Sequence, residues 1–484
     1  MTEEMTSRKI FAGVGWSTIS TITNGLVQIL RLSILSRFLE KSDFGIVALL
    51  TLTLGLVQLF SDLGFSSAIM SQKNLVKQDF ISLFEIQFLI YNFALISLSL
   101  SSTLIASYYS NDAIGVMLPI VLLELFFISI GRLYETVLQK EMRFKTIAIR
   151  NIVSAFLSLP LAVVLAKNSY GAYSLILSTL AHAIIINFWN FVAGQSTFRF
   201  RLQRIDFKRT RGLMKVGGFQ MGTQIMDFFS SKIDIIIIGL YFDVGELGLY
   251  NLAKEIVAKF TMIINAVINK VLLPVLTALQ DDLYKLREMF CKLIRKVSLV
   301  NAATTSFVFV FADAIVYWFY GEKFMDATFI VRMTAVCAFI GLSCMPNGLL
   351  AISMKKTDVT FLYTTIKTIV TIPILFLFGW ISMNITLGCI LVISILGFFL
   401  NWYMLLKKTI LLRLSDYLSL FRSSVSLFAI VSMTLTPIWW VYGDYHSLIF
   451  LLPFAFMYVC CVLICVFITK EVTIYEFKRF FTRK

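Results

Sequence analysis

Residues 218–253 read GFQMGTQIMDFFSSKIDIIIIGLYFDVGELGLYNLA, and a similar pattern stands 203 positions earlier in the chain. Gly15-Trp16 corresponds to Gly218-Phe219, and Phe44-Gly45-Ile46 to Leu247-Gly248-Leu249, with no gap between the two anchors. Between the anchors, Ser17, Thr21, Asn24, Gln28 and Arg31 recur in register as Gln220, Gln224, Asp227, Ser231 and Asp234. Steps of four, three, four and three residues put each set on one face of a helix. The remaining residues of both stretches are largely apolar. Each half of the chain therefore carries a helix with one polar face, which inside a bilayer must meet water or protein and not lipid. A repeat of this length points to an architecture built from two related halves.

Hydrophobic residues make up 58% of the 484 and charged residues only 15%, a balance outside the range of soluble domains. Apolar runs over 48–59, 152–165, 369–380 and 448–468, with 45 Phe spread along the chain, predict an all-α polytopic membrane protein. The N-terminal MTEEMTSRKI leads into a long span with no small-residue cleavage site, so no removable signal peptide is expected. Cys291, Cys337, Cys344, Cys389, Cys460, Cys461 and Cys465 fall in or beside expected spans and read as packing residues. His182 and His446 are too few and too far apart for a metal site, and no cofactor motif is present. There is no GxxxxGK[ST] phosphate loop, and no acid pair or nucleophile sits on a long loop. The expectation is a transporter and not an enzyme.

At roughly 20 apolar residues per crossing, about fourteen helices are expected. They fall near 10–34, 44–69, 80–106, 114–138, 147–166, 171–194, 213–240, 247–278, 293–319, 327–353, 358–380, 384–405, 423–442 and 447–469. Lys and Arg then gather on alternate connections, including Lys140, Arg143, Lys145, the run from Arg199 to Arg211, Lys355, Lys356, Lys407, Lys408 and the tail from Lys470. The opposite connections hold only Arg37, Lys41, Lys167 and Lys323, a bias of about seven to one that places both termini in the cytoplasm. Most of the net charge of +15 is thus a topology signal and needs no nucleic-acid partner. The repeat spans six helices, an even number, so the halves are expected to be parallel repeats. The expected division is an N-terminal lobe 1–194, a basic cytoplasmic linker 195–212, a C-terminal lobe 213–405, and two further helices with a basic tail over 406–484.

Ionisable residues inside the expected spans are costly, on the order of 2.5–3.5 kcal/mol each at mid-bilayer unless paired or hydrated. Their number suggests a hydrated lumen between the lobes. Candidate lumen and substrate-binding residues are Asn24, Gln28, Arg31, Glu124, Arg132, Asp227, Lys232, Asp234, Lys254, Arg332 and Lys367. Candidate ion-coupling residues are Asp62, Glu85, Asp227 and Asp234. Local pairing is the competing explanation: Arg132 and Glu135 are three residues apart, and Glu255 and Lys259 four, while Arg150 and Asp313 lie near span ends. Arg31 and Asp234 occupy equivalent positions with opposite signs, which allows an ion pair across the lumen mouth. The cations favour an anionic head group such as a diphosphate.

The segments LSRFLEKSDFGIVAL (35–49), LVQLFSDLGFSSAIMSQK (56–73), LQKEMRFK (138–145), SSKIDIIIIGLYFDVGELGLYNLAKEI (230–256) and YGEKFMDA (320–327) resemble the Wzx-type polysaccharide flippases. These belong to the multidrug/oligosaccharidyl-lipid/polysaccharide exporter superfamily, and the similarity is greatest to its exopolysaccharide, colanic-acid and teichuronic-acid subgroup. The resemblance implies two six-helix lobes, as in MATE transporters, that alternate access. It implies movement of undecaprenyl-diphosphate-linked oligosaccharide across the bacterial cytoplasmic (inner) membrane for O-antigen, exopolysaccharide or capsule synthesis. It also implies coupling to a cation gradient, H+ or Na+, and cooperation with a polysaccharide polymerase and export machinery. Within it, Asp62 and Gly64 lie in the DLGF motif, and Asp234 and Gly239 in the 230–256 motif. The first helix departs from drug-exporting relatives by carrying Arg31 and no acid. The alternatives are a MATE-like cation-coupled drug antiporter, a glycan polymerase or ligase (which needs a long outer loop), and a non-transporting scaffold.

Overall fold

In the computed structural model, residues 3–62, 64–71, 76–108, 111–199, 207–443 and 448–468 are described. Lys73, His446, residues 200–206 of the expected linker and the basic tail from Lys470 lie outside them. Every regular element among the described residues is helical: α1 (Glu3–Leu35), α2 (Lys41–Asp62), α3 (Phe65–Ser71), α4 (Lys77–Leu100), α5 (Ser102–Tyr108), α6 (Asp112–Lys140), α7 (Phe144–Lys167), α8 (Ala172–Gly194), α9 (Phe207–Tyr241), α10 (Val244–Ala278), α11 (Leu283–Val310), α12 (Ala312–Tyr320), α13 (Ala327–Ser343), α14 (Met345–Ser353), α15 (Thr357–Phe378), α16 (Met383–Asn401), α17 (Lys407–Thr409), α18 (Leu414–Tyr442) and α19 (Leu448–Ile468). A 3₁₀ turn covers Glu322–Phe324 and a π turn Trp402–Leu406.

Among the described residues, eleven helices are long and apolar enough to cross a bilayer. The chain is a multi-pass membrane protein. The spans expected at 213–240, 247–278 and 447–469 fall on α9, α10 and α19, helices of 35, 35 and 21 residues. Five expected spans are each two helical pieces, and each break has a local cause. Gly64 takes φ 72° between α2 and α3, a conformation open to glycine. Ser101 turns its hydroxyl back onto the Ser97 carbonyl, 2.9 Å, where α4 gives way to α5. Phe311, at φ −94°, separates α11 from α12. Pro346 at the start of α14 cannot continue the hydrogen-bond ladder of α13. The π turn interrupts the α16 region.

Cα proximity divides the chain into two compact units, 1–248 and 249–484. The first is cored by aromatic side chains. Tyr134 meets Phe80, Phe84 and Phe191 edge-on at centroid distances of 5.0, 5.7 and 5.5 Å, and its hydroxyl donates to the Phe198 carbonyl at 3.1 Å. Glycines let the helices touch: a Cβ on Gly131 would overlap Asn187, and one on Gly194 would overlap the Tyr134 ring, so α6 and α8 pack backbone-close. Asp43 accepts from the Ala172 N–H at 2.9 Å and so caps α8. In the second unit Tyr417 stacks on Phe398 at 4.9 Å and accepts from Asn347 at 3.3 Å. At the start of α11 the Asp282 carboxylate accepts from the Lys285 N–H at 3.1 Å, which with the Lys285 ammonium holds it below the usual carboxylate range. Large apolar side chains such as Phe93, Leu100, Phe376 and Met433 face outward, as a lipid environment requires. None of the seven cysteines, all within the described residues, forms a disulfide.

Candidate functional site

Polar residues from five helices of the first unit line one cavity of about 450 Å³. Helical spacing explains how. On α6, Glu124, Ile128, Arg132 and Glu135 fall at i, i+4, i+8 and i+11, and on α2 Gly55, Gln58, Leu59 and Asp62 fall at i, i+3, i+4 and i+7. His182 and Asn187 of α8, Tyr91 of α4, and Gln224 and Phe228 of α9 complete the wall. Gly55 leaves room for the Phe228 ring.

Charge is not evenly committed within this cavity. Asp62, 6% exposed, accepts from the Ser66 hydroxyl at 2.9 Å and from the Gln87 amide at 3.1 Å. It thereby ties α2 to α3 and α4 across the Gly64 bend while still lining the cavity. Glu135 meets the Arg150 guanidinium of α7 at 3.4 Å; Arg150 is 2% exposed and also donates to Asn151 at 2.6 Å and to Asn190. Arg132 and Glu124 have no ion-pair partner among the described residues. The cavity therefore holds one guanidinium and one carboxylate available to a guest, beside an acid held by hydrogen bonds and an acid neutralised by Arg150. Its hydrogen-bonding groups (Gln58, Tyr91, His182, Asn187, Gln224) are of the kind that bind hydroxyl-rich molecules.

Of the residues singled out from the sequence, Asp62, Glu124 and Arg132 are brought together here. Arg31 lies in the same unit but is engaged by α8, its Nη2 donating to the Leu175 carbonyl at 2.9 Å, Ser178 at 2.7 Å and Thr179 at 2.9 Å. Asn24 is half-buried, with its side-chain oxygen unsatisfied among the described residues, and Gln28 is exposed. Glu85 is buried on α4. On α9, Asp227 is exposed and Lys232 and Asp234 are half-buried, with Asp234 Oδ1 accepting from the Ile235 N–H at 2.9 Å. In the second unit, Lys254 is half-buried, Lys367 runs its methylenes past Gly397, and Arg332 pairs with Asp313 and lies 5.1 Å from the Trp440 ring centroid.

Of the two local pairings expected from spacing, one forms and one does not. Glu255 and Lys259 do pair, at 3.5 Å. Glu135 instead takes Arg150 from the neighbouring helix, which frees Arg132, three residues away on its own helix, for the cavity. Arg150 and Asp313 do not reach for the interface; both are held in ion pairs. His182, Gln58, Asn187 and Tyr91 were not singled out as site residues. The signal that could have found His182 and Asn187 is that they stand among the few polar positions of an otherwise apolar helix, of which Ser178 and Asn190 also turn inward.

A family model described as polysaccharide biosynthesis protein matches residues 34–329. The chain is 22% identical over 404 residues to the lipopolysaccharide biosynthesis protein WzxC of Escherichia coli (strain K12), covering 83% of this chain and 82% of that one. It is 23% identical over 323 residues to the probable low-salt glycan biosynthesis flippase Agl15 of Haloferax volcanii, covering 66% of each chain. Among solved structures, the lipid II flippase MurJ in an inward closed conformation superimposes with a TM-score of 0.73 at 15% identity, over 94% of this chain and 98% of that one. At that identity the likeness is one of fold.

Proposed function

Because the chain belongs to the family of polysaccharide biosynthesis proteins, we propose that it is a flippase moving lipid-linked oligosaccharide repeat units across the membrane by alternating access. The observation that carries the reading is the polar cavity of the first unit, where Arg132 and Glu124 stand without ion-pair partners among the described residues of a membrane protein. Such groups persist in a membrane only where a hydrated pathway or a polar guest meets them. The sugars and diphosphate travel through water-filled space while the polyprenyl tail stays in lipid. Arg132 meets the anionic diphosphate, and the amide, imidazole and phenol groups around it meet sugar hydroxyls. Binding must favour one access state over the other, since a guest bound equally by both shifts nothing. No bond is made or broken.

The finer assignments belong to this proposal. The sequence repeats 1–194 and 213–405 are the two halves of the transporter, joined by 195–212. Cation coupling, by H+ or Na+, runs through cavity carboxylates, with Asp62 as the first candidate. The bias of Lys and Arg among the connections supports a bacterial cytoplasmic-membrane location with both termini inside. A polymerase consumes the product. The acids of the cavity favour one second reading: with Glu135 neutralised by Arg150, Asp62 and Glu124 outnumber Arg132, as a cation antiporter would require.

One experiment separates the two. Lipid extracts of a deletion strain are expected to accumulate polyprenyl-diphosphate glycan, cleared by the wild-type gene and not by Arg132→Ala. Normal surface glycan in the deletion strain, with altered tolerance to cationic dyes, would establish the antiporter instead.

A further inference from the structure

The second unit holds a groove that translocation of a glycan leaves unused. It lies between α13, α16 and α18, measures 520 Å³, and is walled by Phe339, Ile395, Phe398, Leu418 and Val425 with Arg422 set into its side. Leu418, Val425 and Ile395 are 44, 51 and 41% exposed, so the groove is open outward.

Arg422 is the anomaly. It is exposed and has no ion-pair partner among the described residues. The three helices contain a single carboxylate, Asp416, and that one is paired with Arg287 of α11 at 3.4 Å. Arg422 stands eight residues into α18, about 12 Å along the helix axis and immediately before the span expected over 423–442, at the level where lipid phosphates lie. A helical side chain slants toward the N-terminus, so the guanidinium reaches back toward the interface along the groove. Ser415 and Ser419 precede it on the same face, at i−7 and i−3. The Ser415 hydroxyl makes no hydrogen bond among the described residues, and Ser419 donates to the Asp416 carbonyl at 2.6 Å. Lys407, Lys408 and Arg413 lie just before α18 in sequence and add positive charge at this end.

We propose that this groove seats one anionic phospholipid of the bilayer, its phosphate on Arg422 and the Ser415 hydroxyl and an acyl chain along Phe339, Ile395, Phe398 and Val425. Each half of the site needs the other. A soluble anion has no use for the apolar wall, and a bare hydrocarbon leaves the guanidinium beside it without an anion. Basic pockets between membrane helices recognise lipid head groups by this combination.

The test is native mass spectrometry of the full-length protein in detergent, titrated with phosphatidylglycerol, phosphatidylcholine, inorganic phosphate or a short polyprenyl diphosphate. One phosphatidylglycerol is expected to be retained in preference to phosphatidylcholine. Its affinity should fall about tenfold in Arg422→Ala, as loss of a charge-assisted hydrogen bond implies, and much less in Arg422→Lys. Val425→Trp, which fills the groove and keeps the charge, is expected to abolish retention while melting like wild type. Equal retention of the two phospholipids, or undiminished binding in both Arg422→Ala and Val425→Trp, would overturn the site. Competition by inorganic phosphate would reduce it to a simple anion site, and preference for the polyprenyl diphosphate would assign the groove to the transported lipid.

Discussion

Arg150 shows how a charge is kept inside this protein. Its guanidinium is almost wholly buried and is held by Glu135, Asn151 and Asn190 from three directions. Removing Glu135 would leave that cation without its counter-charge, at a cost of about 3–5 kcal/mol. Replacing both partners by apolar residues of similar size is often neutral. Glu135→Ala is therefore expected to lower the melting temperature in detergent sharply, and Glu135→Leu with Arg150→Met to recover most of it. Equal stability of Glu135→Ala and wild type would mean the ion pair contributes nothing. The presence of charges in this region is evident from the sequence, but their pairing is not. Spacing along one helix ties Glu135 to Arg132, whereas the pair that forms crosses from α6 to α7, a tertiary contact with no sequence period. For the same reason, three residues singled out from the sequence converge on the cavity while Arg31, at a privileged position of the repeat, is taken up by α8.

At the scale of elements, the repeat finds a structural reason. Gly45 and Gly248 are the matched anchors of the two copies, and they meet in the first unit: a Cβ on Gly248 would overlap the Lys41 carbonyl and come within 3.0 Å of the Gly45 nitrogen, and one on Gly45 would overlap the Val244 carbonyl. The starts of α2 and α10 thus cross with main chain against main chain, which only glycine permits. Gly45→Ala and Gly248→Ala are each expected to destabilise by about 1–3 kcal/mol through overpacking. Gly388→Ala, where an added Cβ meets nothing within 4 Å, should be silent or slightly stabilising. Thermal melts of the three variants check this, and equal melts would contradict the crossing. Helix positions were legible from apolar run length, because lipid demands that length. The breaks at Gly64, Ser101 and Phe311 were not, since a single φ or a hydroxyl turned onto the main chain leaves the hydropathy of the run unchanged.

For the whole molecule, membership in the polysaccharide biosynthesis family and the fold shared with MurJ set the frame, and the cavity of the first unit supplies the chemistry. The sign of that chemistry differs from a purely cationic lumen, because several cations counted along the sequence are already spent on Asp313, Glu255 and the α8 carbonyl. Arg132 is the guanidinium left in the cavity, and the proposed translocation places the diphosphate there. The most direct measurement is flipping by purified protein in proteoliposomes, with a labelled polyprenyl-diphosphate oligosaccharide and an added glycosidase as the reporter of sidedness. Wild type is expected to expose the labelled glycan to both faces, and Arg132→Ala to slow the exchange at least about tenfold, equivalent to ~1.4 kcal/mol on the barrier. Glycan that stays on the face where it was placed, at the same rate with and without protein, would contradict flipping outright.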